Sequence, residues 1–253
     1  MKSGWLLPYL LVGDFLYTKR WTWWLNCLLK EEIKPPIPEL RLREDAETRK
    51  MLNKCIEYLE SRGKDFEDFV DWMLWSLGLS EEKPNLSKQE LEFLYRNFVL
   101  GMLQENPWDY FGEIAAEKRR GEFGFFPTPP DLAEFMATCL AQDNNIFQKI
   151  IDPCAGTGVL LMAYSNYSVN LFAIDINPFM IKLIKINAAL YIPWLLLPVE
   201  VKNEREYSIP QKIKEVAREL KNLQYIAFKE LEEFSSQKTK TQPKKPVQLR
   251  IGF

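Results

Sequence analysis

The stretch KIIDPCAGTGVLL, residues 149–161, decides the fold of this chain. Its first four residues, 149–152, predict a short buried strand, and residues 160–164 predict the start of a helix. Gly156 and Gly158 lie between these two elements, where glycine permits a tight turn and lets a ligand approach bare backbone. The stretch therefore predicts a strand, a ligand-binding loop and a helix.

The alternation of strand and helix continues after this loop. Residues 169–175 (VNLFAID) predict a second strand, and residues 178–190 predict a second helix. A third strand is predicted at 195–201, and apolar residues at helical spacing predict a long amphipathic helix over 209–234. This succession predicts an α/β fold with a partial Rossmann-like sheet.

The chain before the loop is predicted to be helical. Apolar residues at helical spacing indicate two helices within 44–77 and another over 91–103. We therefore predict three parts: an all-helical domain over 1–104, a ligand-binding α/β domain over 105–235, and a flexible basic tail over 236–253.

Two further segments lead up to the loop. Asn106 followed by Pro107 predicts the start of a helix that runs to Arg120, because Asn is a good N-cap and Pro suits the first helical position. Residues 124–130 (GFFPTPP) predict a rigid, extended segment that leads into a helix over 131–141.

Composition excludes several classes of chemistry. The formal net charge is -2, so a nucleic-acid surface would have to be a local patch. The absence of histidine excludes imidazole acid–base catalysis and the Ser-His and Cys-His dyads. The four cysteines lack a C-x-x-C pair, which argues against a metal site or a disulfide framework and favours a cytoplasmic protein. The apolar run within 1–17 is too short to predict a membrane span.

Two carboxylates indicate which ligand the loop would hold. Asp152 precedes the turn, where it suits a cationic ligand, and Asp175 ends the second predicted strand, where it can accept from both ribose hydroxyls. No third glycine follows Gly158, so S-adenosylmethionine, with its ammonium and sulfonium, fits better than a dinucleotide. Residues 177–179 offer a wall for adenine. The alternative is a glycine turn that only connects a strand to a helix.

Three segments in this order, GFFPTPP, DPCAGTGVLL and AIDINPFMIKLIKINAAL, resemble the adenine-N6 DNA methylases of type I restriction-modification systems and their prophage relatives. The resemblance spans about residues 106–193 and includes DYFGEI at 109–114. It implies a Rossmann-like class I methyltransferase sheet, S-adenosyl-L-methionine as cofactor, DNA as partner, and methylation of adenine N6 as the activity.

The resemblance also implies a set of cofactor-binding residues. Phe126, Thr128 and Pro129 would help to hold the methionine end of the cofactor, although Pro127 stands at a position that is often aromatic in the family. The full predicted set is Phe126, Thr128, Pro129, Asp152, Pro153, Ala155, Gly156, Thr157, Gly158, Asp175, Ile176 and Asn177.

The catalytic motif of that family is missing. The family uses an N-P-P-Y/F tetrapeptide to hold and stack the flipped adenine, and no [N/D/S]-P-P-aromatic string occurs in this sequence. The partial matches at 106–108 (NPW) and 177–179 (NPF) are interpreted as a helix cap and as part of the ribose-side turn. The catalytic residues therefore stay unknown.

Three functions remain open from the sequence. The chain is an adenine-N6 DNA methyltransferase of shortened form, an inactive cofactor-binding regulatory or scaffold subunit, or a helical interaction protein with a vestigial α/β part. A complete seven-stranded sheet does not fit after Pro198, so we expect a second copy or a partner subunit to cover the open sheet edge. The basic residues after Glu233 form either a solvated tail or a contact to DNA phosphates.

Overall fold

The computed structural model describes residues 2–118, 126–141, 145–203 and 206–239, and over 234–239 it describes the backbone alone. Within this part of the chain, helices dominate and the strands are short. No helix among the described residues is long and apolar enough to cross a membrane.

The region before residue 106 is helical, as predicted. Its helices are α1 (Leu7–Leu16), α2 (Arg20–Lys30), α3 (Ala46–Glu60), α4 (Phe66–Ser76), α5 (Lys88–Asn97) and α6 (Leu100–Glu105). A capping box of Asp65 and Asp68 starts α4, because each side chain accepts a hydrogen bond from the other residue's backbone N–H. The predicted helix over 91–103 is divided into α5 and α6, because Phe98 takes an extended backbone conformation.

The prediction that a helix starts at Asn106 is wrong. The helix α7 covers Tyr110–Lys118, and Asn106 instead ends α6, where its backbone N–H donates to Met102 O at 3.1 Å. Asp109 is the residue that supports the start of α7, because its Oδ1 accepts from Gly112 N at 3.1 Å. The predicted end of this helix at Arg120 lies outside the described residues.

The predicted succession of strand and helix is confirmed through its second helix. Its elements are α8 (Pro130–Leu140), β1 (Ile150–Asp152), α9 (Val159–Tyr164), β2 (Leu171–Ala173) and α10 (Pro178–Tyr191). The strands β1 and β2 are parallel neighbours, with Ile151 opposite Phe172. Parallel strands joined through a helix form the βαβ unit of Rossmann-like folds.

The prediction of a third strand at 195–201 is wrong for most of these residues. Pro193 starts a short helix, α11 (Pro193–Leu196), because Pro is well placed in a first helical turn and Trp194 is buried there. The strand β3 (Glu200–Asn203) follows and pairs antiparallel with β4 (Glu206–Ser208). Among the described residues this hairpin does not join β1 and β2, so the sheet is fragmentary.

The last described helix, α12, covers Gln211–Thr239 and confirms the predicted long helix. It packs on α1 and α2, where Gln224 Nε2 donates to Leu11 O at 2.9 Å. Its backbone continues past residue 235 into the segment predicted as a tail, and residues 240–253 lie outside the described part of the chain.

One continuous core runs from α1 to α12. The buried guanidinium of Arg20 joins α2 to the end of α9, since it donates to Ser165 O at 2.9 Å and lies 4.4 Å above the ring of Trp194. Burial lowers the pKa of Arg20 to about 9, which leaves it protonated at neutral pH. The predicted domain boundary at residue 104 therefore falls inside a shared core and remains a prediction.

Candidate functional site

A crevice of about 620 Å³ opens where β1 and β2 end. This volume lies in the usual range for small-molecule and cofactor sites. The crevice is lined by Phe126, Pro127, Thr128, Asp152, Pro153, Cys154, Ala155, Gly156, Thr157, Val159, Leu160, Ile174, Asp175, Ile176, Asn177 and Met180.

The parallel pairing of β1 and β2 brings the loop and Asp175 together. Past the strands, Ile174 N donates to Asp152 O and Ala155 N donates to Ile174 O, both at 2.9 Å. The carboxyl ends of both strands therefore meet at one edge of the sheet, which is where open α/β sheets bind ligands.

Asp175 is held in place by the backbone on both sides of the crevice. Its Oδ2 accepts from Gly156 N at 2.7 Å, and its Oδ1 accepts from Asn177 N at 2.8 Å. A carboxylate has about four acceptor positions. Both oxygens of Asp175 therefore keep capacity for the hydroxyls of a ligand.

Asp152 is a second carboxylate at the crevice. Its Oδ1 accepts from Cys154 N at 3.2 Å, and its side chain is largely buried. Burial raises the pKa of Asp152, and the nearby charge of Asp175 raises it further. No Lys or Arg lies among the described residues that line the crevice. Its polar chemistry therefore suits a cationic ligand better than a phosphate.

The two glycines of the loop take backbone conformations that other residues rarely adopt. Gly156 has φ of 54° and Gly158 has φ of 88°. A Cβ at Gly158 would also lie 2.7 Å from Ile184 Cγ1 on α10. Gly158 thus serves the close packing of the loop on α10 and does not itself line the crevice.

The segment before α8 is placed beside the loop. Phe126 and Thr128 line the crevice, and Phe126 is 88% exposed. Pro129 does not line it and instead precedes α8 as its N-cap residue. Residues 119–125, which include the start of the GFFPTPP segment, lie outside the described residues.

The sequence analysis and the structure agree closely on the composition of this crevice. Ten of the twelve predicted residues line it, and the exceptions are Pro129 and Gly158. The lining residues that were missed are Pro127, Cys154, Val159, Leu160, Ile174 and Met180. Most of them directly follow or precede predicted residues, so sequence proximity to the loop and to Asp175 was the available signal.

Asp109 was also missed, although it contacts the loop. Its carboxylate is buried and its Oδ2 accepts from Thr157 Oγ1 at 2.5 Å. Asn187 on α10 completes the contact, because its Nδ2 donates to Asp109 Oδ1 at 2.9 Å and to Thr157 O at 3.0 Å. Asp109 and Thr157 are 48 positions apart, so no local pattern could predict this hydrogen bond.

The described residues also contain no group of three or more His, Cys, Asp or Glu side chains that could hold a metal ion. Cys139 and Cys154 are exposed and unpaired, and Cys27 and Cys55 are buried thiols. The crevice itself offers two carboxylates, the backbone of the loop and apolar walls.

Residues 104–191 match the model of the protein family described as N-6 DNA Methylase. The matched segment contains α7 to α10, both parallel strands and the whole crevice lining. The resemblance predicted over about 106–193 is thereby confirmed for this segment. Neither the comparison with curated proteins nor that with solved structures gave a match.

Proposed function

We propose that the crevice binds S-adenosyl-L-methionine and that the protein serves the methylation of adenine N6 in DNA. One observation carries this proposal: Asp152 and Asp175 lie at the ends of two parallel strands, on either side of a glycine loop, in a segment that matches the N-6 DNA Methylase family. The carboxylates supply the charge, and the loop supplies space for a nucleoside.

Different residues of the crevice contact different parts of such a ligand. Asp175 accepts hydrogen bonds from the ribose hydroxyls, and Asp152 attracts the cationic methionine end, which Phe126 and Thr128 border. Ile176 and Met180 provide apolar surface for the adenine ring. When bound, the cofactor would supply the methyl group, and these residues would hold it in the crevice.

Calorimetry with S-adenosylmethionine tests the binding. We expect Asp175→Asn to weaken binding by at least about tenfold, because hydrogen bonds to a charged group contribute about 1.5–3 kcal/mol. Asp71→Asn is the matched control, since Asp71 lies on α4, where it pairs with Lys182. Absence of binding to the unmodified protein, or equal effects of the two variants, contradicts the proposal.

A specific observation favours a second candidate, a cofactor-binding subunit that does not catalyse alone. The sequence has no N-P-P-Y/F string, and among the described residues the sheet of the crevice has two strands. Ile151, Phe172 and Ile174 are each more than 40% exposed beside that crevice. A surface of this kind is typical of a unit that another polypeptide covers.

Labelled S-adenosylmethionine and adenine-containing DNA distinguish the two candidates. Transfer of label to adenine N6 by the protein alone supports the enzyme. Cofactor binding without transfer, with activity restored by a second polypeptide from the same cells, supports the subunit. DNA binding that weakens steeply with salt would show that the phosphate backbone is contacted in either case.

A further inference from the structure

Asp109 joins three separate parts of the chain beneath the loop. Its carboxylate accepts from Gly112 N in the first turn of α7, from Thr157 Oγ1 in the loop, and from Asn187 Nδ2 in the middle of α10. The carboxylate is 3% exposed. The loop is therefore fixed from its buried side as well as through Asp175 in the crevice.

The packing around Asp109 depends on a glycine in α7. A Cβ at Gly112 would overlap Asp109 Oδ2 and would lie 2.7 Å from Thr157 Oγ1. Glycine at this position is what lets α7 approach the loop closely enough for these hydrogen bonds. The side chains that form the contact, Asp109, Thr157 and Asn187, are all buried.

The hydrogen-bond pattern fits an ionised carboxylate. Gly112 N and Asn187 Nδ2, which can only donate, both point at Oδ1, and the hydroxyl of Thr157 points at Oδ2, so Oδ1 has no place for a proton. Burial raises the pKa of Asp109, and no cation among the described residues forms an ion pair with it. The titratable groups nearest to it are Glu113 of α7 and Tyr191 of α10, whose pKa values burial raises and the charge of Asp109 raises further.

We propose that Asp109 is a positioning residue for the cofactor loop, and that cofactor binding weakens when its carboxyl group takes up a proton. The proposal rests on the proposed function of the crevice. Thr157 carries the effect, because it lines the crevice together with Ala155 and Gly156 while its hydroxyl is bonded to Asp109. Protonation replaces the charge-assisted hydrogen bonds to Asp109 with weaker bonds between neutral groups, and the loop is then held less firmly in the geometry that meets the ligand.

Calorimetric titrations with S-adenosylmethionine between pH 5 and pH 8 test this inference. We expect affinity to fall with decreasing pH in the unmodified protein. Asp109→Asn removes the negative charge that all three hydrogen bonds meet and the proton uptake of the carboxyl group, so it should bind about tenfold or more weakly at pH 8 and should show a smaller dependence on pH. Asp152 also titrates in the crevice, so the difference between the two proteins is the informative quantity.

Substitution of Thr157 separates positioning from general stability. Thr157→Val removes the hydroxyl and should weaken binding about tenfold, whereas Thr157→Ser keeps the hydroxyl and should restore affinity close to that of the unmodified protein. Thr138→Val is the matched control, because Thr138 Oγ1 donates to Glu134 O within α8. Thermal unfolding of each variant verifies that it is folded.

The outcomes separate the two proposals. If the unmodified protein does not bind S-adenosylmethionine at any pH, the proposed function fails. If it binds, and Thr157→Val binds equally well, Asp109 does not position the loop. If Asp109→Asn keeps the full pH dependence, the proton of Asp109 has no part in binding.

Discussion

The helical region formed by α1–α6 and the β1–β2 unit bury their apolar side chains to very different degrees. In the helical region, Trp24, Phe69 and Trp72 are fully buried. In the β1–β2 unit, the opposed side chains of Ile151 and Phe172 are 48% and 44% exposed. The large apolar side chains of the helical region are therefore buried in the shared core, whereas the unit that forms the crevice leaves one sheet face uncovered among the described residues.

The helix α8 shows the same difference within one element. Ala133 and Ala137 are buried, and α8 packs closely on α9. Leu132, Phe135 and Leu140 lie at helical spacing on another part of its surface and are exposed. An ordinary surface helix buries its large apolar residues, whereas α8 exposes them and buries alanines. This face of α8 is therefore also uncovered among the described residues.

The largest expected effect comes from the same substitution made in each region. Phe69→Ala should lower the free energy of unfolding by about 3–5 kcal/mol, because it leaves a cavity beside the rings of Trp72 and Phe98. Phe172→Ala should lower it by less than about 1 kcal/mol, because nearly half of that side chain is already in water. Urea unfolding measures both. Equal losses would show that the sheet face is covered after all.

Arg20 provides the next comparison, between a buried and an exposed arginine. Arg20→Met should cost about 2–4 kcal/mol, because Ser165 O, Pro38 O and other buried acceptors lose their donor. Arg41→Met should cost about 0–1 kcal/mol, since Arg41 pairs with Glu39 in solvent. Thermal unfolding of both variants checks the ranking, and a small effect at Arg20 would contradict its role in joining α2 to α9.

The parts of the fold that the sequence predicted are those with a local signal. The loop from Asp152 to Gly158 lies between a strand and a helix that follow directly, and Asp175 ends the next strand, so short-range patterns sufficed. The short apolar run at Trp194 to Leu196 is compatible with a strand or a helix. In the structure it is helical, and Trp194 is buried beside Arg20.

The parts that the sequence did not predict depend on contacts across the chain. Asp109 meets Thr157 and Asn187 only once α7, the loop and α10 are packed together. Asn106 followed by Pro107 is typical of an N-cap, yet in the packed structure Asn106 is the C-cap residue of α6. Sequence patterns therefore identified the ligand-facing side of the crevice and missed the side that supports it.

Stability should depend on pH in the opposite direction to cofactor binding. Burial raises the pKa of Asp109, Glu113 and Asp152, so the folded protein binds more protons than the unfolded chain at pH values just above the ordinary carboxyl range. By linkage, the free energy of unfolding then falls as pH rises through this window. Below it, protonation of carboxylates with lowered pKa, such as Asp45, removes stability again.

Unfolding measured from pH 4 to pH 8 checks this sign without any ligand. We expect the most stable protein in the lower part of this range, and a smaller decline toward pH 8 in Asp109→Asn than in the unmodified protein. A stability that rises steadily toward pH 8 would contradict the assignment of these three groups as buried acids of raised pKa.

The smallest effect on stability, and the sharpest on association, is expected at the exposed face of α8. Leu140 is 58% exposed on α8 and Leu16 is 64% exposed on α1, so replacing either by Ser should change the free energy of unfolding by no more than about 0.5 kcal/mol. Only Leu140→Ser should weaken association, because Leu140 lies next to the chain that leads into β1, where Gln148 Nε2 donates to Leu140 O at 3.0 Å, whereas Leu16 belongs to the helical region. Sedimentation over a range of concentrations compares the two variants. Equal behaviour would mean that the exposed face of α8 takes no part in self-association.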